Sequence, residues 1–210
     1  MKNQRLSAAR LYLILDVAVL DRERLLQIID PAITGGVDIV QLRDKAGDSR
    51  DVFCFAQKVR DVVGQRALFI LNDRPDIARF CGADGVHLGQ NDVPVSVVKK
   101  FFGSDFIVGC SCQTPEQVLV AQQDAADYIG FGSVYKTQTK PERRPMQGSV
   151  LECALKEARI PLFPIGGITR DNLPALVDRG ASRAAVCRDI LLATDPAGAA
   201  RGFRQLLEGN

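Results

Sequence analysis

Residues 21–45 read DRERLLQIIDPAITGGVDIVQLRDK, and their patterning decides the fold. In Asp21–Thr34, Leu25, Leu26, Ile29 and Ile33 fall on one helical stripe. Val37–Arg43 follows as a short apolar, β-branched run with the character of a buried strand. The same alternation extends both ways. Further strand-like runs are Leu11–Asp16, Ala67–Asn72, Asp84–Leu88, Asp105–Ser111, Ala126–Gly132, Ile160–Gly166 and Arg183–Arg188. Amphipathic stretches lie between them; in Asp48–Val63, Val52, Phe55, Val59, Val62 and Val63 share one face. Asp171 is expected to cap the helix that ends near Gly180.

Eight strands alternating with about eight helices demand a parallel sheet covered by helices. An open doubly wound sheet rarely needs eight units, whereas a closed barrel needs about that number in roughly 200 residues or more. The chain has 210 residues. The expected fold is therefore α/β, a single-domain TIM (β/α)8 barrel over residues 1–210, with residues 1–9 as a frayed start.

Composition narrows the function. There are 27 basic against 25 acidic residues, so the basic excess of nucleic-acid binders is missing. No uncharged apolar run approaches 18 residues, which excludes a membrane span. Arg10 and Asp16 interrupt the N-terminal apolar stretch before it reaches signal-peptide length, so a cytoplasmic protein is expected. The six cysteines form no C-x-x-C pair and His87 is the only histidine. Zinc spacing and a Ser-His-Asp set are both absent. No G-x-x-x-x-G-K-[ST] phosphate loop is present either.

In such barrels the chemistry gathers at the C-terminal strand ends. On the second strand, Ile39, Gln41, Arg43 and Lys45 share the face opposite Val40 and Leu42. Two cations stacked at a barrel mouth call for an anion, either a phosphate or diphosphate or an internal carboxylate such as Asp44 or Asp73. The third and fourth strands end in Asn72-Asp73 and in His87-Leu-Gly-Gln-Asn-Asp92. Asp73 and Asp92 suit Mg2+, which takes one or two carboxylates and completes its shell with water and phosphate oxygens; they also suit helix caps. His87 reads as a hydrogen-bonded core residue. Ser133–Gly148 is a long basic loop carrying Lys136, Thr137, Thr139, Lys140, Arg143 and Arg144, in the manner of a binding lid or a solvated loop. The seventh strand ends in Gly166-Gly167, whose backbone can approach an anion, and the eighth in Cys187-Arg188-Asp189.

Taken in order, QLRDK (41–45), LNDR (71–74), DGVHLGQND (84–92), DYIGFGSVYKTQTK (127–140) and IGGI (165–168) resemble the thiamine phosphate synthase family over nearly the whole chain. That family joins hydroxymethylpyrimidine diphosphate to a thiazole phosphate, which usually carries a carboxylate lost as carbon dioxide, and gives thiamine phosphate and diphosphate. The resemblance implies that Gln41, Leu42, Arg43, Asp44, Lys45, Asn72, Ser111 and Lys140 hold the pyrimidine diphosphate. Among these, Arg43, Lys45, Ser111 and Lys140 would act in catalysis. Asp73 and Asp92 would hold Mg2+. Thr137, Gln138, Thr139, Gly166, Gly167, Cys187 and Arg188 would hold the thiazole phosphate. Expected partners are thus phosphorylated small molecules, with neither nucleic acid nor membrane, and a homo-oligomer is left open.

Two positions depart from the family pattern. Gln113 stands where a histidine is common, and Arg188-Asp189 stands where a serine before a small residue is usual. The related thiazole tautomerase shares the barrel but needs no diphosphate or metal site, and its acid/base histidine lies in the segment that holds Gln113 here. A non-catalytic thiamine-phosphate-binding barrel is the other alternative.

Overall fold

The computed structural model describes residues 2–138 and 144–209. Its eight strands are β1 (Leu11–Asp16), β2 (Ile39–Arg43), β3 (Leu68–Asn72), β4 (Gly85–Leu88), β5 (Ile107–Cys112), β6 (Tyr128–Phe131), β7 (Leu162–Pro164) and β8 (Ala184–Val186). Consecutive strands pair in parallel from β1 to β7, and β1 also pairs with β8. A parallel bridge between Ile165 and Ala185 closes the cylinder. The expected TIM barrel is the observed fold.

Helices α2 (Arg22–Thr34) and α3 (Ser49–Val63) each start one residue after an aspartate. Asp21 accepts the Arg24 N–H and Asp48 the Asp51 N–H, at 2.9 Å in both cases, so each satisfies one orphan donor of a first helical turn. The remaining outer helices are α4 (Pro75–Phe80), α5 (Val95–Phe102), α6 (Pro115–Gln123), α7 (Gly148–Glu157), α8 (Leu173–Val177), α9 (Arg188–Leu191) and α10 (Pro196–Glu208). The cap of α8 is Asn172, not Asp171. Its carboxamide oxygen accepts the Thr169 N–H at 2.8 Å and its amide donates to the Gly167 carbonyl at 2.9 Å. Asn172 thus ties the turn after β7 to the start of α8, which helix capping alone does not reveal.

Two cores follow from the strand period. Leu13, Leu15, Val40, Leu42, Val86 and Ile129 point outward and pack against the helices. Tyr12, Ile14, Ile39, Leu68, Ile70, Ile107, Tyr128 and Phe163 fill the lumen. Helix α1 (Lys2–Ala8) seals the bottom of the lumen: Leu6 and Ala9 join that inner cluster. The Arg183 guanidinium donates to the Ser7 and Ala9 carbonyls at 2.8 and 3.0 Å. Over residues 2–9 the structure describes a helix and a buried Ala9 where a frayed start was expected, because an apolar plug for the lumen makes burial of Leu6 and Ala9 favourable. Burying one leucine is worth about 1.5–3 kcal/mol. Deleting residues 1–8 is expected to lower Tm by roughly 5–10 °C in a thermal melt; an unchanged Tm would show that the plug adds no stability.

Candidate active site

The lumen floor is aromatic. Tyr12, Tyr128 and Phe163 meet with ring centroids 5.4–5.9 Å apart. A glycine on β5 makes room for it: a Cβ on Gly109 would stand 2.1 Å from the Tyr128 ring. Above this floor opens a cavity of about 850 Å3, lined by Gln41, Arg43, Asn72, His87 and Ser111 on one side and by Gly166, Gly167, Cys187 and Arg188 on the other. That volume is in the usual range for small-molecule sites.

On the β2 side, strand register brings Asp16 opposite Arg43. Asp16, 1 % exposed, accepts from the Arg43 guanidinium at 2.8 Å and from the Ala18 N–H at 3.0 Å. The ion pair leaves the Arg43 Nε–H buried without a partner, and Asn72 Nδ2 is buried without one as well. Two unsatisfied donors beside one cavity are costly and mark where acceptor oxygens of a ligand would be stabilised.

Lys45, Asp73 and Asp92 sit outside the residues lining the cavity. Lys45 pairs with Asp73 at 2.8 Å, the internal carboxylate that the sequence left as an alternative to a phosphate. Asp73 adopts a left-handed backbone, φ 63°, and its N–H donates to the His87 carbonyl at 2.9 Å. Asp92 accepts the Gly89 N–H at 2.6 Å. Neither aspartate caps a helix: α4 and α5 begin at Pro75 and Val95 without a side-chain cap. Burial would raise the Asp73 carboxyl, but the Lys45 ammonium and a hydrogen bond with Asp92 outweigh it and hold Asp73 low. Burial raises Asp92, against the Gly89 N–H, and the Asp73 charge raises it further. Two carboxylates are thus crowded together at the tips of adjacent strands. Among the described residues no group of three or more His, Cys, Asp or Glu gathers, so these two alone cannot cage an ion. They fit a hard cation that takes its remaining ligands from water and substrate oxygen.

Leu42 and Asp44 do not contribute side chains to the cavity. Leu42 packs in the outer core. Asp44 accepts from Arg22 at 2.8 Å and from the Gly47 N–H at 2.9 Å; burial would raise its carboxyl, and Arg22 holds it below the usual range. The alternation of a strand sends residues 42 and 44 to the face opposite 41, 43 and 45.

On the opposite wall, Gly167 has φ +64, and a Cβ there would lie 2.3 Å from the Lys136 carbonyl. Only glycine allows the basic loop to cross the turn this closely. The loop's first residues are tied to that turn: the Val134 and Tyr135 N–H groups donate to the Ile165 and Gly166 carbonyls at 2.9 and 3.0 Å. Lys136, Thr137 and Gln138 line the cavity; Thr139, Lys140 and Arg143 lie outside the described residues. Cys187 and Arg188 reach the cavity from the end of β8. Asp189 accepts the Arg170 N–H at 3.2 Å.

A family model described as thiamine monophosphate synthase matches residues 11–190. The chain belongs to this family. It is 42% identical to the thiamine-phosphate synthase of Mycobacterium bovis, covering 99% of this chain and 98% of that one. It is likewise 42% identical to the thiamine-phosphate synthase of Gloeobacter violaceus, over 91% of this chain. There it spans only 55% of the relative, and the chain spans little more than half the length of the first curated relatives it matches. The solved thiamine phosphate pyrophosphorylase of Pyrococcus furiosus superposes with a TM-score of 0.87 at 30% identity, covering 100% of this chain and 98% of that one.

Within the thiamine monophosphate synthase fold, the described residues singled out from sequence thus divide into a cavity set, a rim set at Lys45, Asp73 and Asp92, and the outward pair Leu42 and Asp44. Sequence reasoning missed Asp16, Tyr12 and Tyr128. Each lies on the inward face of a strand, β1 read with its observed bounds and β6 read three residues too long as Ala126–Gly132, so the period-two rule applied to β1 and β6 places all three on that face.

Proposed function

We propose that the chain is a Mg2+-dependent thiamine phosphate synthase, a transferase that couples hydroxymethylpyrimidine diphosphate with thiazole phosphate or its carboxylate. The observation that carries the reading is the pairing of unsatisfied buried donors at Arg43 and Asn72 with two crowded carboxylates at Asp73 and Asp92. A diphosphate with a divalent cation answers both features at once.

In this reading the pyrimidine ring lies over the aromatic floor between Gln41 and Ser111. Arg43, Asn72, Lys45 and Lys140 hold the diphosphate, and Asp73 with Asp92 would hold Mg2+. Bound there, Mg2+ would neutralise charge on the leaving group. The C–O bond from the pyrimidine methylene to the diphosphate breaks, and its electron pair leaves with the diphosphate. Arg43 and Lys45 stabilise that growing charge from fixed positions. The thiazole nitrogen then donates its lone pair to the methylene carbon. Where the thiazole carries a carboxylate, it leaves as carbon dioxide after coupling. No protein nucleophile is needed, and the expectation of a cytoplasmic enzyme acting on small phosphorylated molecules agrees with this chemistry.

The thiazole phosphate is assigned to Thr137, Gln138, Thr139, Gly166, Gly167, Cys187 and Arg188. A charge-assisted bond from Arg188 is worth about 1.5–3 kcal/mol. Arg188→Ala is therefore expected to raise KM for the thiazole phosphate roughly ten- to hundredfold and leave that for the pyrimidine diphosphate nearly unchanged. Equal effects on both would place Arg188 elsewhere. The overall reading is tested by incubating the protein with both substrates and analysing the products. Thiamine phosphate is the expected outcome. Isomerised thiazole with no coupling would favour a tautomerase, and tight binding of thiamine phosphate without turnover would favour a sensor.

A further inference from the structure

A continuous chain of hydrogen bonds crosses the lumen. Gln41 Nε2 donates to Tyr12 Oη at 2.7 Å. Tyr12 Oη lies 2.8 Å from Tyr128 Oη, which lies 3.0 Å from His87 Nδ1. His87 Nε2 lies 2.9 Å from Ser111 Oγ. The two ends, Gln41 and Ser111, are the residues assigned to the pyrimidine; the three between them have no assigned role.

Proton counting gives the chain a direction. A phenol has one hydrogen to donate. Tyr12 already accepts from Gln41, so its own hydrogen is satisfied by donating to Tyr128. Tyr128 then donates to His87 Nδ1, which must be unprotonated. The imidazole proton sits on Nε2 and is donated to Ser111 Oγ. Ser111 therefore accepts within the chain and keeps its own hydrogen for the cavity. If His87 carried its proton on Nδ1 instead, Tyr128 would donate to Tyr12. The Tyr12 hydrogen would then be buried with no acceptor, which is costly. Burial raises both phenols above their ordinary range, so they stay protonated and the counting applies.

We infer that Tyr12, Tyr128 and His87 are positioning residues that hold His87 as its neutral Nε2–H tautomer. They thereby present the Ser111 hydroxyl as a donor, and the Gln41 carbonyl as an acceptor, to the substrate ring. This deepens the synthase reading and rests on it for the identity of the ring. An aminopyrimidine supplies the matching pattern, with an amino group to donate and ring nitrogens to accept. Packing fixes the geometry: Gly109 lets the Tyr128 ring lie flat against β5, and a Cβ on Gly130 would stand 3.0 Å from His87 Cε1.

His87 is the only histidine in the chain, so its protonation can be read without assignment. In protein labelled with 15N-histidine, two-bond nitrogen–proton correlations distinguish the tautomers. The resting wild-type protein is expected to show Nε2 protonated and Nδ1 bare at neutral pH. A proton on Nδ1, or on both nitrogens, overturns the inference. Tyr128→Phe keeps the ring and removes the donor to Nδ1. It is expected to give a mixture of tautomers and to raise KM for the pyrimidine diphosphate about tenfold, with KM for the thiazole phosphate unchanged. An unaltered tautomer with unaltered KM also overturns it. The wild-type tautomer is read without turnover or substrate, so it stands whether or not the variant folds. A failure of coupling would count against the synthase reading and not against the hydrogen-bond direction.

Discussion

Asp73→Asn and Asp92→Asn are each expected to cut coupling at least roughly a hundredfold while the barrel stays folded. The size follows from the cation role proposed for this pair: charge neutralisation on a departing diphosphate is worth several kcal/mol, and about 1.4 kcal/mol is a factor of ten in rate. Asparagine keeps the shape of each side chain and removes the charge that a hard cation requires. The fold is expected to tolerate both changes for separate reasons. Asp73 has φ 63°, a backbone region in which asparagine is among the most favoured non-glycine residues. Asp92 accepts the Gly89 N–H, and an asparagine oxygen can accept it as well. The Lys45–Asp73 pair that is lost is half-exposed on the lysine side, so it contributes about 1 kcal/mol or less. Activity assays beside thermal melts check this. A variant that keeps full turnover removes the metal role from that residue, and one that unfolds makes the aspartate a structural part of the rim.

Arg43→Ala is expected to have the next largest effect, in stability as well as activity. Asp16 is almost fully buried and its charge is answered by Arg43 and one backbone N–H. Removing one member of a buried pair strands the other, at about 3–5 kcal/mol. For a chain of this size that is expected to lower Tm by roughly 6–20 °C. Asp16→Asn should show the reciprocal loss, since it leaves the Arg43 guanidinium with its Nε–H already unpartnered. The two variants separate structure from chemistry. In the proposed site Arg43→Ala additionally loses the cation that would face the diphosphate, so its turnover is expected to fall much further than that of Asp16→Asn at a temperature where both are folded. Arg43→Lys restores the charge but not the two-sided geometry that meets Asp16 and the cavity together, and should recover only part of the activity. Matched losses in all three variants would reduce Arg43 to a structural counter-ion.

The architecture was legible because each strand and helix keeps its own period. β1 occupies Leu11–Asp16 as read, and α2 and α3 begin one residue after aspartates that cap them. Strands seven and eight were read too long. β7 spans Leu162–Pro164 and β8 Ala184–Val186. Apolar character continues past the ladder, but Gly166 with φ +105 has already turned the chain away from it. Periodicity reports which face a side chain occupies, not where backbone pairing stops. The plug formed by α1 escaped for a related reason: Leu6 and Ala9 find their partners in the lumen, a surface that exists only once the barrel has closed.

The candidate site's layout was legible where polar residues or glycine stand at a strand tip: Arg43, Asn72 and Gly167 line the cavity, and Asp73 and Asp92 crowd together beside it. It was not legible where side chains meet partners from across the barrel. Nothing in the local sequence of Tyr12 or Tyr128 announces that their hydroxyls meet 116 residues apart in the chain. Asp16 was overlooked because its strand ends without an adjoining motif, although its register opposite Arg43 makes it that residue's counter-ion.

The most direct measurement follows both products of the wild-type protein during a Mg2+ titration, starting from chelator-treated enzyme with pyrimidine diphosphate and thiazole carboxylate phosphate. Equal amounts of thiamine phosphate and diphosphate, absent in chelator and restored by Mg2+, are the predicted result. Thiamine phosphate formed at an undiminished rate in the presence of chelator, or no thiamine phosphate at any Mg2+ concentration, would contradict the account.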